Sequence, residues 1–312
     1  VFVDSGSVVT EGDNAHGVFV QSVGGGGGHI VSDSGVWSKT AGGVGFGGIV
    51  EATVGTAKTS AIVQARGANS DGLSLQSDGG SGANPIMVNI GKYGTVMGGT
   101  GAGYAVRIRG GTGLAANPNV LNNAGTIAPY GGSSGGAIWS DQPTTVNNTG
   151  HITGKIQAPK QTSVSASSGI TIYNKGAGVI TTSKEFSLGT GGVIHNSATL
   201  EIGQGSKGIE TVLKGDLRQT KKGTLLLDLD SNNQNHDRIR IEGDAHLDGQ
   251  VLIRPISMNS QPIPIISATG ALNVDENFTV PDSLLLSFDT KLDGQTVWVA
   301  PQASFDSVED IS

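Results

Sequence analysis

Several short stretches of this chain carry residue types that do chemistry elsewhere. Gly131-Gly132-Ser133-Ser134-Gly135 matches the spacing of a nucleophile elbow. An elbow presents its serine on a strand-to-helix turn, and no helical periodicity follows Ser133, so the match reads as a turn. The six histidines, His16, His29, His151, His195, His236 and His246, have no zinc-ligand spacing. Asp228, Asp230 and Asn232 begin like a calcium loop, but Asn233 stands where the sharp turn needs glycine and Ile239 where the bidentate glutamate belongs. The glycine run 24–28 could approach a phosphate, but such a loop needs a helix N-terminus behind it. No cofactor, metal or catalytic residue is therefore expected. The residues suited to non-covalent recognition are Trp37, Tyr104, Arg107 and Arg109, with Phe46, Tyr93, Tyr130 and Trp139 as further aromatic platforms. Arg107 and Arg109 alternate with Val106 and Ile108, which places both on a solvated outer face.

The elements that must carry these residues follow from composition. The 312 residues contain 51 glycines and no cysteine, with 4% aromatic and 14% charged residues. A disulfide scaffold is excluded, no apolar run is long enough for a membrane helix, and glycine lacks the collagen period. The first residues lack the basic start and apolar core of an export signal, so any such signal is expected to have been removed. Composition also divides the chain: 46 glycines precede residue 223 and only 5 lie from there to the end. The first part carries a net charge of +3 and the second −10. Neither is basic enough to track phosphates, which argues against nucleic acid as a partner. The division predicts two regions, 1–222 and 223–312.

The first region repeats. Leu121-Asn122-Asn123-Ala124-Gly125-Thr126-Ile127 and Val146-Asn147-Asn148-Thr149-Gly150-His151-Ile152 share one pattern, with looser copies at 172–180 and 194–200. A longer echo links residues 14–22 to 69–77, read as two to three of the shorter periods apart. A period in the low twenties built from short β-branched runs and tight turns predicts a right-handed parallel β-helix, an all-β solenoid of about nine or ten coils in 1–222. In it Asn123, Asn148, Asn174 and Asn196 would form a ladder, each amide bonding its equivalent one coil along, in a left-handed turn conformation. In the second region the alternating leucines Leu225 and Leu227 and the Asp248-Gly249 hairpin signal predict a β-hairpin or sandwich-like cap over the open end of the stack. Strands are expected near 263–267, 284–288 and 296–299, with Pro262 and Pro264 at an edge or bulge.

Residues 223–230 (GTLLLDLD), then Asp237-Arg238-Ile239-Arg240-Ile241 and Gly243-Asp244-Ala245-His246-Leu247-Asp248-Gly249, resemble the pertactin-like C-terminal passenger region, or autochaperone, of bacterial autotransporters. The motif positions are Leu225, Leu227, Asp228, Asp230, Asp237, Gly243, Asp244, Asp248 and Gly249. The upstream glycine run and Asn-x-Gly coils are similar to glycine-rich autotransporter passengers. The resemblance implies transit of the periplasm and display on the bacterial surface, exposed or released. It also implies an outer-membrane β-barrel of the same polypeptide beyond the linker that 301–312 would begin. It implies an adhesin or interaction rod without enzymatic activity, whose partners are a host cell or matrix component, a glycan or a copy of itself on another cell. The alternative is the stalk and folding module of a larger exported enzyme such as a serine protease.

Overall fold

In Val50–Val54 residues 50, 52 and 54 are buried and the two between them are not, and Ile86–Ile90, Gly94–Gly98, Asn119–Asn123 and Thr144–Asn148 repeat that alternation. This period of two selects strands with one face against a core. Each strand is three to eight residues long for most of the chain, too short to bury its apolar face alone, so each stacks on its equivalent one coil away. The computed structural model describes residues 1–25, 43–112, 114, 116–132, 134–159, 169–205, 208–230, 236–257, 261–282 and 286–303, with the backbone of 28–31 and 37–40.

Every coil contributes one strand to each of three long sheets, which hold 10, 9 and 11 strands. All neighbours in the first two sheets are parallel, and the third stays parallel up to its last two strands. The chain is a parallel β-helix. In the first sheet Val88 lies between Ala52 and Leu121, and the same inward column continues through Val146, Ile172, Ile194 and Leu217 to Ala245. In the second, Val63, Val96, Ile127, Ile152, Ile180, Leu200, Leu225 and Val251 form an equivalent column. Nearly all of these side chains are fully buried. Because the register never slips along the columns, aliphatic groups of similar size stack into one narrow core.

The Asn-x-Gly motif marks the corner between the first and second sheets. A Cβ on Gly125 would sit 2.2 Å from the carbonyl oxygen of Gly94, and one on Gly150 would sit 2.2 Å from that of Gly125. Glycine is needed there because successive coils touch backbone to backbone.

Four expectations change. The ladder asparagines end extended strands and do not adopt the left-handed conformation; among described non-glycine residues only Asn14 and Asn69 do, at φ 58° and 57°. The 55-residue echo is one coil: Gln21 pairs with Gln76 directly across the third sheet, and the strands Gly28–Val31 and Trp37–Thr40 between them pair antiparallel with each other, outside the three sheets. Excursions of this kind reduce the coil count. Glu210–Lys214 closes the seventh coil, and the eighth has only begun at residue 222. Lastly, Asp248-Gly249 is not a hairpin. It is the corner between Ala245–Leu247 and Gln250–Ser257, which belong to different parallel sheets. Gly249 does hold a positive φ of 75°, and a Cβ would lie 2.4 Å from the Gly223 oxygen. A hairpin turn and this corner can both set a left-handed glycine after an aspartate, so the dipeptide alone does not separate them.

Coil geometry crosses residue 222 without a break, with Thr199 paired to Thr224 and Leu200 to Leu225. It ends instead after Leu272–Val274. The antiparallel hairpin follows, made of Leu286–Asp293 and Thr296–Ala303 around Gly294 at φ 58°. Its second strand pairs antiparallel with Ile263–Ala268, whose register shifts between Pro264 and Ile266. Phe288, Val297 and Val299 are buried against the end of the core.

Gly249→Val should combine a disfavoured backbone with a clash on Gly223. We expect the mutant to lose well over about 1 kcal/mol of stability, read from its guanidinium midpoint. Thr279→Val, which keeps the backbone bridge between residues 250 and 279, should stay close to wild type.

Candidate functional site

Two asparagine ladders run along the rod. The inner one is closed. Asn123 donates to Asn148 Oδ1 at 2.8 Å, Asn148 to Asn174 Oδ1 at 2.8 Å and Asn174 to Asn196 Oδ1 at 2.9 Å. Asn196 then donates to Gln219 Oε1 at 3.2 Å, and Gln219 to the carbonyls of Asp248 and Gln250. The four asparagines are at most 2% exposed. Each also bonds corner backbone, as Asn123 does with the Gly125 N–H and the His151 carbonyl. A buried amide needs such partners to offset its desolvation, so this ladder holds the corners together and has nothing left for a ligand.

The outer ladder lies one residue earlier in the same strands and faces solvent. Asn122 donates to Asn89 Oδ1 at 2.9 Å and Asn147 to Asn122 Oδ1 at 3.0 Å, and Asn89 reaches Glu51 Oε1 at 3.5 Å. These amides floor an open groove of about 490 Å³, walled by the corner residues Thr56, Thr149 and Lys175. In-register pairing extends the column from Asn147 to Tyr173, His195, Arg218 and His246. The Tyr173 and His195 rings stack with centroids 4.8 Å apart and planes 10° apart. Burial, with the Arg218 guanidinium nearby, holds the His195 imidazole below its usual range, so the ring is neutral at physiological pH. Sequence reading passed over this column, although its slot is visible: Asn122, Asn147, Tyr173 and His195 each precede a ladder asparagine in the repeat.

Tyr104, Arg107 and Arg109 come together on the third sheet, but Arg107 is not solvated. Its Nε bonds Asp71 Oδ2 at 2.7 Å, and the two residues are 8% and 0% exposed. Its guanidinium lies 4.7 Å from the Tyr104 ring centre and 5.2 Å from that of Trp139. Arg109 is half-buried over Trp139 at 5.6 Å, and desolvation beside Arg107 lowers its pKa to about 10. Alternation gave the correct side of the strand. It could not show that Asp71, one coil earlier, would draw Arg107 down onto the sheet. His16 stacks on the slot of Asp71, whose backbone N–H donates to its Nδ1 at 2.9 Å. Burial lowers the His16 pKa more than the Asp71 carboxylate raises it. The cluster is internally satisfied at Asp71, where Tyr104 N also donates at 2.9 Å. Tyr104 itself donates to Gln157 Oε1 at 2.6 Å.

The C-terminal motif residues are structural. Leu225 and Leu227 are core. Asp228 pairs with Arg254 Nε at 2.5 Å, Arg254 reaches Glu201 at 2.9 Å, and Asp230 accepts from Ser257. Asp244 accepts the Ala271 N–H and Asp248 that of Gly249, while Gly243 leaves room for Asp216. Asp237 is fully buried and accepts the Ile209 and Asp228 N–H groups at 2.9 and 2.8 Å. Desolvation nevertheless outweighs those bonds and raises its pKa to about 6. Among the described residues no three metal-ligating side chains converge. Ser133, Asn232, Asn233 and the side chains of His29 and Trp37 lie outside the described residues; the Trp37 backbone is in the strand Trp37–Thr40.

Two measurements check these assignments. Asn148→Ala leaves Asn123 and Asn174 each short of a buried partner, and should cost about 1–3 kcal/mol in denaturant titration. The Asp237 carboxyl has a folded pKa above its unfolded value of 3.8, so the folded state holds the proton more tightly. Its contribution to stability is full below about pH 4 and is lost as pH rises to about 6. The pH profile of the unfolding midpoint, compared between wild type and Asp237→Asn, should differ by a step in that window; parallel profiles would reject it.

No family model matches the chain, and no curated protein matches it.

Proposed function

We propose that the chain is the passenger portion of a bacterial autotransporter and works at the cell surface as a non-enzymatic adhesive rod. Its partner is a host cell or matrix component, a glycan or a copy of itself on another cell. The observation that carries this reading is the outer column of the first sheet. It repeats one side-chain slot per coil, at about 4.8 Å, and its asparagines line a groove along the rod axis rather than converging on a point. A surface of that form suits contact with an extended partner at many equal, weak positions. The resemblance of residues 223–249 to an autochaperone supports the bacterial setting and a role for that end in folding during secretion. The antiparallel hairpin beyond it supports such a role, since it covers the last coil and offers a first surface for the others to stack on.

The test is attachment. Beads coated with residues 1–312 should bind epithelial monolayers or immobilised matrix above albumin-coated beads, saturably and in competition with the free rod. Absence of attachment to cells, matrix and beads of the same kind, with the β-sheet circular dichroism intact, would remove the adhesive reading.

A further inference from the structure

We infer that the groove on the first sheet binds a neutral, extended β-linked glycan laid parallel to the rod axis, with Asn89, Asn122 and Asn147 reading its hydroxyls and the outward edge of the Tyr173–His195 ring pair packing beside its sugar rings past the end of the groove. The inference deepens the adhesive reading and rests on it for its biological meaning, although the binding itself can be measured alone.

The chemistry follows from what the groove offers. The inner amides use their second donors and acceptors on corner backbone, whereas the hydrogen bonds of the outer amides run along their own ladder. Each outer amide therefore keeps a hydrogen-bonding edge toward the groove, and an amide edge can both donate and accept, as a sugar hydroxyl pair does. Coils repeat at about 4.8 Å, close to the rise of one pyranose ring in an extended β-linked chain, so successive rings meet equivalent amides. From Asn89 to His195 the column crosses five coils, or roughly 20 Å at that repeat. The column then changes from amides to an exposed tyrosine, 40% accessible, stacked on a neutral imidazole. The two rings turn one face each to the other, and their outward edges add an uncharged wall beside the polar floor, which matches a sugar with its apolar face and polar rim.

Other extended polymers fit less well. A peptide that adds a strand needs an unpaired sheet edge, and here the backbone is paired on both sides from residue 86 to residue 219. A sulfated or phosphorylated chain needs a row of cations, and among the described residues only two stand along the column, Lys175 at the groove wall and Arg218 beyond His195, with Glu51 at the far end.

The experiment titrates the folded 312-residue rod with cellohexaose and with the N-acetylglucosamine hexaose, by calorimetry and by amide chemical shifts. At least one hexaose should bind, more tightly than its dimer, with affinity unchanged between low and high salt. Asn122→Ala and Tyr173→Ala should each weaken binding about tenfold or more. Tyr173→Phe, which keeps the ring pair, and Tyr130→Ala, on a different corner, should leave it near wild type. Thermal unfolding of each variant establishes that the rod is intact; should Asn122→Ala be unstable, Asn122→Asp, which keeps the shape and changes the donor edge, takes its place. Failure of both hexaoses to bind overturns the inference, as does equal binding to the folded Asn122 and Tyr173 variants. Tighter, salt-sensitive binding of a heparin hexasaccharide at the same residues overturns it too. If coated beads attach to cells but the hexaoses do not bind, only the groove assignment falls. If the hexaoses bind as expected but beads do not attach, only the adhesive reading falls.

Discussion

The in-register parallel stacking of coils is the constraint on which everything else depends. One coil contains three short strands and a handful of aliphatic side chains, far too few to offset the entropy of ordering its backbone. Its strands have nothing to pair with inside their own coil. Only repetition closes both deficits, because each added coil satisfies a strand edge and extends the core together. The register then propagates from one coil to the next. An inward Val96 requires an inward Ile127, and the corner that holds Gly125 and Gly150 accepts only a small residue, glycine in most coils and Ala198 in one. The near absence of aromatic residues follows from the same constraint, since a narrow core of aligned columns accepts aliphatic groups more readily than rings. Phe186, the largest fully buried side chain among the described residues, sits inside the stack, and Phe288 is buried at its closed end.

Polar groups obey the same rule in a stricter form. A lone buried asparagine would be costly, but a column of them satisfies itself and needs a partner of another kind only at its ends. Gln219 supplies that termination, reaching carbonyls that a shorter asparagine would miss. The pairing of Arg107 with Asp71 is a local solution to a different problem, because it buries two charges where no ladder is available. Such a pair fixes one arrangement of neighbouring coils while adding little net stability.

The repeat made much of this legible. Asn123, Asn148, Asn174 and Asn196 stand at one repeat position, and the short β-branched runs between glycines announce strands. Three features were hidden, each for a physical reason. Coil length was misjudged because a solenoid tolerates excursions at its corners, so 55 residues can separate adjacent positions as easily as 22. The Asp248-Gly249 corner was misread because local turn chemistry reports backbone handedness and not the sheet to which the next strand goes. Asp293-Gly294 is where the hairpin turns. The outer column was missed because its residues are chemically unlike one another, Asn, Asn, Tyr and His, and only register brings them into line.

The terminal hairpin also bears on how such rods behave when crowded together. A stack of parallel strands is its own template, and any uncovered end could recruit the matching end of another molecule and grow as a fibre. By reversing direction and spending its edge on Ile263–Ala268, the hairpin replaces that template with one of the wrong polarity. Molecules closed in this way can lie side by side at high density without the third sheet of one continuing into another through that tip.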